Sequence, residues 1–252
     1  MGCGRFSDLE TADGRPPGTC SRVVRHHFDS SIGRDVDGTH HVDREVLAVR
    51  GDRLVLVETR VRESASGANA KPAGYTVYEI DEKEQISDAV VFGADDVIAA
   101  FDTLDDRFAL GEGHASSDVV HSYARIMRAC NTQAWRHLRS ELVDDFVLLD
   151  HRPISLGQIG PDDWVRSLEV ATDLSPGRRG DSKAYHAWDR SVVVIEFRFS
   201  AGSDYGADYE QRHHGVIQGR DRRISRVEFY TLERLKEALE RFEQLRAGSP
   251  AR

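Results

Sequence analysis

The strongest constraint on this chain is that it repeats itself. Arg222-Arg223-Ile224-Ser225-Arg226-Val227-Glu228-Phe229-Tyr230 reads as a strand running straight into a helix, Leu232 to Leu245. Ile86-Ser87-Asp88-Ala89-Val90-Val91-Phe92, followed by the helix Asp95 to Phe108, is its counterpart. Ile224 lies 138 positions after Ile86, and Glu196 and Arg198 lie the same 138 positions after Glu58 and Arg60 of the preceding strand. Two anchors sharing one offset with no net gap predict tandem copies of one module. The 252 residues, about twice the common single-domain length, agree with two domains of ordinary size.

Bulk properties exclude several functions. At 39% hydrophobic and 31% charged, the chain has enough apolar material for packed cores. No apolar run approaches the roughly 18–20 residues of a membrane span, and the N-terminus lacks the plan of a signal peptide, so the expected compartment is the cytoplasm and no membrane partner is expected. A formal charge of −9 argues against nucleic acid as a partner. The basic group Arg220 to Arg226 reads as a solvated turn and the start of a strand. Cys3, Cys20 and Cys130 are widely spaced and odd in number, which suits neither a disulfide framework nor a zinc ribbon. With no Gly-rich phosphate loop, nucleophile elbow or Cys-His signature, no cofactor is expected.

Along the chain, residues 1–20 read as a flexible leader and Ser21 to Ile32 as a short amphipathic helix on Val24, Phe28 and Ile32. Strands are expected over Glu45 to Val49 and Arg53 to Arg62 around a Gly51-Asp52 turn, and over Tyr75 to Ile80 and Ile86 to Phe92 around Asp81-Glu82-Lys83, with Ser64 to Ala73 as an exposed loop. Gly111-Glu112-Gly113 is the candidate boundary between copies. Beyond it the periodicity predicts a helix from about Ser116, a second bearing Trp135 and Leu138, a strand Asp145 to Arg152, and a helix Pro161 to Leu174 with proline in its first turn. Strands Lys183 to Trp188, Ser191 to Ser200 and Gln211 to Gln218 precede the repeated strand and the final helix. The first copy lacks the opening helices and first strand of the second.

Helices followed by a curved antiparallel sheet that closes on Arg223-Ile224-Ser225-Arg226-Val227-Glu228-Phe229-Tyr230 resemble the nuclear-transport-factor-2-like superfamily, which includes SnoaL-like polyketide cyclases and ketosteroid isomerases. Phe146 to Pro153 is similar to the strand after the second helix of such domains. Asp150-His151-Arg152-Pro153 and the ending Leu235-x-x-Ala238-Leu239-x-x-Phe242 are similar to paired SnoaL-like modules at the C-termini of actinobacterial regulatory ATPases and nucleotide-cyclase-type proteins. The resemblance implies an α+β fold of tandem cone-shaped barrel modules: residues 21–112 as a truncated copy, and residues 113–248 as a complete one whose helices and concave sheet face enclose a pocket. It covers enzymes, carriers and assembly modules alike, so fold transfers better than function.

Candidate site residues follow from which side chains face inward. On Ser191 to Ser200, Val192, Val194, Glu196 and Arg198 share one face, and Val193, Ile195, Phe197 and Phe199 the other. Glu196 and Arg198 either grip a ligand or pair at a seam between sheets. Asp150 and Arg152 share a face, offering a carboxylate and a donor for acid/base chemistry, or else they cap a loop. His186 either lines the pocket or is a satisfied core histidine, and Tyr230 and Trp164 line its mouth or simply pack. The pairs His26-His27, His40-His41 and His213-His214 belong to no chelating motif, because adjacent side chains diverge in a strand; no metal site is expected.

Three readings result. The first is a non-catalytic module binding a small hydrophobic molecule or a partner protein. The second is an isomerase, cyclase or epoxide-hydrolase-type enzyme with Asp150 as base and Arg152, His186 or Tyr230 as polarising donors. The third is a structural surface, with an intramolecular pseudo-dimer or a homodimer joined through the faces carrying Glu58, Arg60, Glu196 and Arg198.

Overall fold

A computed structural model of the chain describes residues 34–36, 40–63, 71–175, 177–201 and 209–248. The fold class is α+β, and the described residues fall into two compact units, one within 34–111 and one within 112–248. The expected leader, the helix Ser21 to Ile32 and the pair His26-His27 lie outside the described residues.

The first unit comprises β1 (Arg34–Val36), β2 (His40–Arg50), β3 (Leu54–Glu63), β4 (Lys71–Ile80), β5 (Ile86–Phe92) and α1 (Val97–Leu110). Its strands are antiparallel in the order β5-β4-β3-β2, with β1 on β2. Leu54, Val55, Leu56 and Val57 are consecutive and all buried, so β3 is covered on both faces. Gly51 turns β2 into β3 at φ 55°, a left-handed conformation that favours glycine. Between β4 and β5 the Asp81 carboxylate accepts from the backbone N–H groups of Lys83 at 2.8 Å and Gln85 at 3.0 Å, which builds the turn from a side chain. Helix α1 packs on β2, β3 and β4 through Ala100, Leu104 and Phe108. It starts and ends two residues later than its periodicity predicts, because the N–H of Gly111 still closes on the carbonyls of Arg107 and Phe108. Arg50, fully buried, donates from Nε to Asp105 of α1 at 2.6 Å.

The second unit comprises α2 (Ser117–Asn131), α3 (Trp135–Ser140), β6 (Leu142–Asp150), β7 (Gln158–Ile159), α4 (Pro161–Leu174), β8 (Arg179–Asp189), β9 (Val192–Ala201), β10 (Tyr209–Arg220), β11 (Arg223–Tyr230) and α5 (Leu235–Gly248). The strand order is β8-β9-β10-β11-β6-β7, antiparallel except for β11 on β6. The pleat separates the two faces of β9. Val192 and Val194 meet α5 in a core with Val216, Tyr230, Ala238, Leu239 and Phe242, while Phe197 and Phe199 face α2 and α4. Asp221 and Arg222 both have positive φ (53° and 59°) in the tight β10–β11 turn. Arg220, Arg222 and Arg226 of the basic stretch face Asp145, Asp118 and Glu228.

Element bounds recur between the units. β3 and β9, β4 and β10, and α1 and α5 begin 138 positions apart. The ladders match more closely than the bounds. Val46 pairs with Val57 and Ala48 with Leu56, skipping Leu47; Tyr185 pairs with Ile195 and Ala187 with Val194, skipping His186. One β-bulge thus stands at the same step of each sheet. Among the described residues the first unit has no counterpart of α2, α3 or α4.

Candidate functional site

The second unit holds a cavity of about 270 Å³ between the sheet and helices α2 and α4. Helix α2 contributes Tyr123, Ile126, Met127 and Cys130, helix α4 Trp164 and Leu168, and the sheet Phe197, Phe199, Ile217, Val227 and Phe229. Each follows from period: α2 turns its buried stripe of Val119, Tyr123 and Ile126 to the sheet, and β9, β10 and β11 present every second residue. Trp164 is fixed by stacking on Phe146 at 5.1 Å. Gly180 lets Met127 and Phe199 close in; a Cβ there would lie 2.5 Å from Met127 Cε. Ile154 and Leu156, in the connection after β6, form an apolar rim, with Ile154 94% exposed.

A buried imidazole with no hydrogen-bond partner stands in this apolar wall. His213 of β10 is 1% exposed, and neither ring nitrogen has a hydrogen-bond partner. Phe197 packs against it at 3.9 Å and Phe229 at 5.0 Å between ring centroids. Burial, reinforced by the positive charge of Arg152, pushes its pKa down to about 3, so the imidazole is neutral at physiological pH, with one N–H to donate and one lone pair to accept. Two cations reach the wall, both occupied. Arg152 is forked onto Asp150 at 2.8 Å through both Nε and Nη2, and Arg178 lies over the ring of Phe199 at 4.0 Å. Burial pushes the Cys130 thiol up to about 12, which removes it as a thiolate nucleophile.

The residues singled out in the sequence separate into those on the cavity and those off it. Arg152 and Trp164 line it. Asp150 stands one step behind Arg152 with its side chain fully buried, also accepting the N–H of Leu156 at 3.1 Å. Its burial favours the neutral acid, but the bonds from Arg152 and the backbone outweigh this and hold its pKa below the usual carboxylate value. Glu196, Arg198, His186 and Tyr230 lie on the opposite face, turned away by the pleat. Glu196 and Arg198 do not pair with each other. Arg212 binds Glu196, with Nε on Oε1 at 3.0 Å, and Arg198 binds Asp181 at 2.7 Å. In the first unit Arg60 does bind Glu58, at 2.5 Å, and also Glu45, at 3.2 Å. The Tyr230 hydroxyl donates to Glu228 at 3.0 Å and its ring stacks on His151 at 4.7 Å.

His213 was visible as half of a His-His pair whose side chains must diverge. What distinguishes the two is the neighbouring strand: Phe197 is opposite His213 and Glu196 opposite His214.

No protein-family model and no curated protein matches the chain. Among solved structures it is similar to a nuclear-transport-factor-2-like protein from Anabaena variabilis (18% identity, 46% of this chain and 88% of that one, TM-score 0.40). It is also similar to Delta 5-3-ketosteroid isomerase from Mycobacterium sp. (14%, 45% and 92%, 0.37) and to a Mycobacterium tuberculosis protein in complex with estradiol-17beta-hemisuccinate (10%, 46% and 95%, 0.39). The structural neighbours are thus nuclear-transport-factor-2-like and ketosteroid isomerase folds that each span about half of this chain.

Proposed function

We propose that the second unit is a non-catalytic module that binds a small, largely apolar molecule bearing one hydroxyl, carbonyl or carboxylate. The observation carrying this reading is His213: a neutral, unpartnered imidazole in an aromatic wall loses hydrogen bonds on burial, and a ligand's polar group restores them. The reading assigns ligand contacts to Arg152 and Trp164, which line the cavity, with Asp150 holding Arg152 in place. The reading includes a cytoplasmic protein whose two units derive from one module, which the common offset and the common bulge support.

The titratable groups are in the wrong state for acid/base catalysis. Asp150 is ionised and saturated with donors, and His213, with a pKa of about 3, is too weak a base near neutral pH. Calorimetric titration with a matched series of two-ring hydrocarbons, alcohols, ketones and carboxylates tests the proposal. The polar members should bind about 3–10-fold more tightly than the hydrocarbon, the worth of one net hydrogen bond, and His213→Phe should abolish that preference. Absence of saturable binding throughout the series, or turnover of any member, contradicts it.

A further inference from the structure

On the face of the sheet away from the cavity, three adjacent strands each contribute one potential metal ligand. His186 comes from β8, Glu196 from β9 and His214 from β10, and their nearest ligand atoms all lie within 4.8 Å of one another. Among the described residues this is the one such group. The bulge in β8 falls on His186, and bulges re-aim side chains. His214 is directly opposite Glu196 in the ladder.

The donor atoms are in the form a metal requires. His214 Nε2 lies 3.2 Å from the carbonyl oxygen of Leu232, to which it can donate only as N–H; this leaves the lone pair on Nδ1, and Nδ1 has no partner. His186 Nε2 also has no hydrogen-bond partner; it lies 3.6 Å from Glu196 Oε2, too far for a good hydrogen bond. The Glu196 carboxylate is divided: Arg212 holds Oε1 while Oε2 faces His186. Ligand atoms about 2.0 Å from a tetrahedral ion sit about 3.3 Å apart, so the His186–Glu196 spacing is already close and the widest gap must close by roughly 1.5 Å. His186, with 17% of its side chain exposed, is the least buried of the three.

We propose that His186 Nε2, Glu196 Oε2 and His214 Nδ1 form a binding site for a first-row divalent metal ion, zinc by its donor set, with the fourth position open to water. Leu232 and Arg212 act as outer-shell partners that orient His214 and Glu196. The first unit lacks the site although it keeps the frame. Its bulge residue is Leu47, its carboxylate Glu58, and the residue opposite Glu58 is Tyr75.

The test is titration of the metal-stripped full chain with Co2+, read by its visible absorption, and with Zn2+, read by calorimetry. One equivalent should bind tightly. His186→Ala should weaken binding by more than the roughly 10–100-fold that loss of an outer-shell partner costs. His214→Asn should do the same, with circular dichroism of both variants confirming the fold. His186→Ala removes the long contact to Glu196 and an edge contact with the His214 ring but no hydrogen bond at Nε2, and so guards against a folding failure. Absence of a stoichiometric site, or one that survives in both variants and so belongs to other histidines, overturns the proposal.

Discussion

The two units share a ladder and differ in what the ladder carries. In the first, Thr59 stands opposite Gly74, and a Cβ on Gly74 would lie 2.5 Å from the Phe92 carbonyl oxygen, so the position is closed by backbone. In the second, Phe197 stands opposite His213 and the same rung becomes the floor of a cavity. Charge is also placed differently. The first unit buries a guanidinium, Arg50, against Asp105 of its helix, whereas in the second the strand carries Asp189 and the helix Arg246, 3.9 Å apart and each about one-third exposed. A common frame therefore constrains strand order and bulge while leaving burial of charge, and with it function, to single positions.

The largest expected effect separates those two ion pairs. Arg50→Ala strands the Asp105 carboxylate in a buried site and should cost about 3–5 kcal/mol in chemical denaturation. Arg246→Ala should cost less than about 1 kcal/mol, as exposed pairs do. Equal losses would break the contrast.

Acid should come next, and should act on the second unit. Burial depresses His213 to about 3 and His214 to about 4, against 6.5 for the free side chain. Above pH 6.5 both are neutral in either state and contribute nothing. As pH falls below 6.5 the unfolded chain takes up protons that the folded one refuses, so stability drops until the folded pKa values are reached. Glu196 adds to the loss lower down: burial disfavours its charge, but the neighbouring His186 imidazole and the Arg212 guanidinium hold it at about 2, so its contribution is present above about pH 4.5 and disappears toward pH 2. Hydrogen exchange between pH 6.5 and 4 should show destabilisation of β9 and β10 by a few kcal/mol, while Gly74 and Tyr75 give β3 and β4 no corresponding titration.

Gly215→Ala is the third test. A Cβ there meets Phe197 Cε1 at 2.6 Å, pushing the ring against His213; overpacking should cost about 1–3 kcal/mol and weaken binding in the cavity. The smallest effect is a gain. Arg222 holds a positive φ while its side chain is 79% exposed, so Arg222→Gly should stabilise the second unit by up to about 1 kcal/mol in a denaturant titration.

Much of the fold was legible because it rests on local patterns. Pro161 to Leu174 and Ile86 to Phe92 match their elements residue for residue, since proline at a helix start and a bounded strand run are local signals. The strand expected from Asp145 begins instead at Leu142, where Leu142 already pairs with Ile224 and both Leu142 and Val143 are buried. The site was legible in part. Arg152 and Trp164 could be singled out as candidates from their places at the end of a strand and near the start of a helix, and alternation gave the split of Glu196 from Phe197, but not which face the helices would cover. His213, His186 and His214 acquire meaning only from register and a bulge, which are properties of paired strands and leave no trace in either strand alone.

The most direct test follows the His213 ring nitrogens by NMR during titration with a two-ring alcohol. The account predicts one saturable shift of the His213 signals, with the same dissociation constant as calorimetry and no protonation of the ring at pH 7. Saturable binding that leaves His213 unmoved would contradict it.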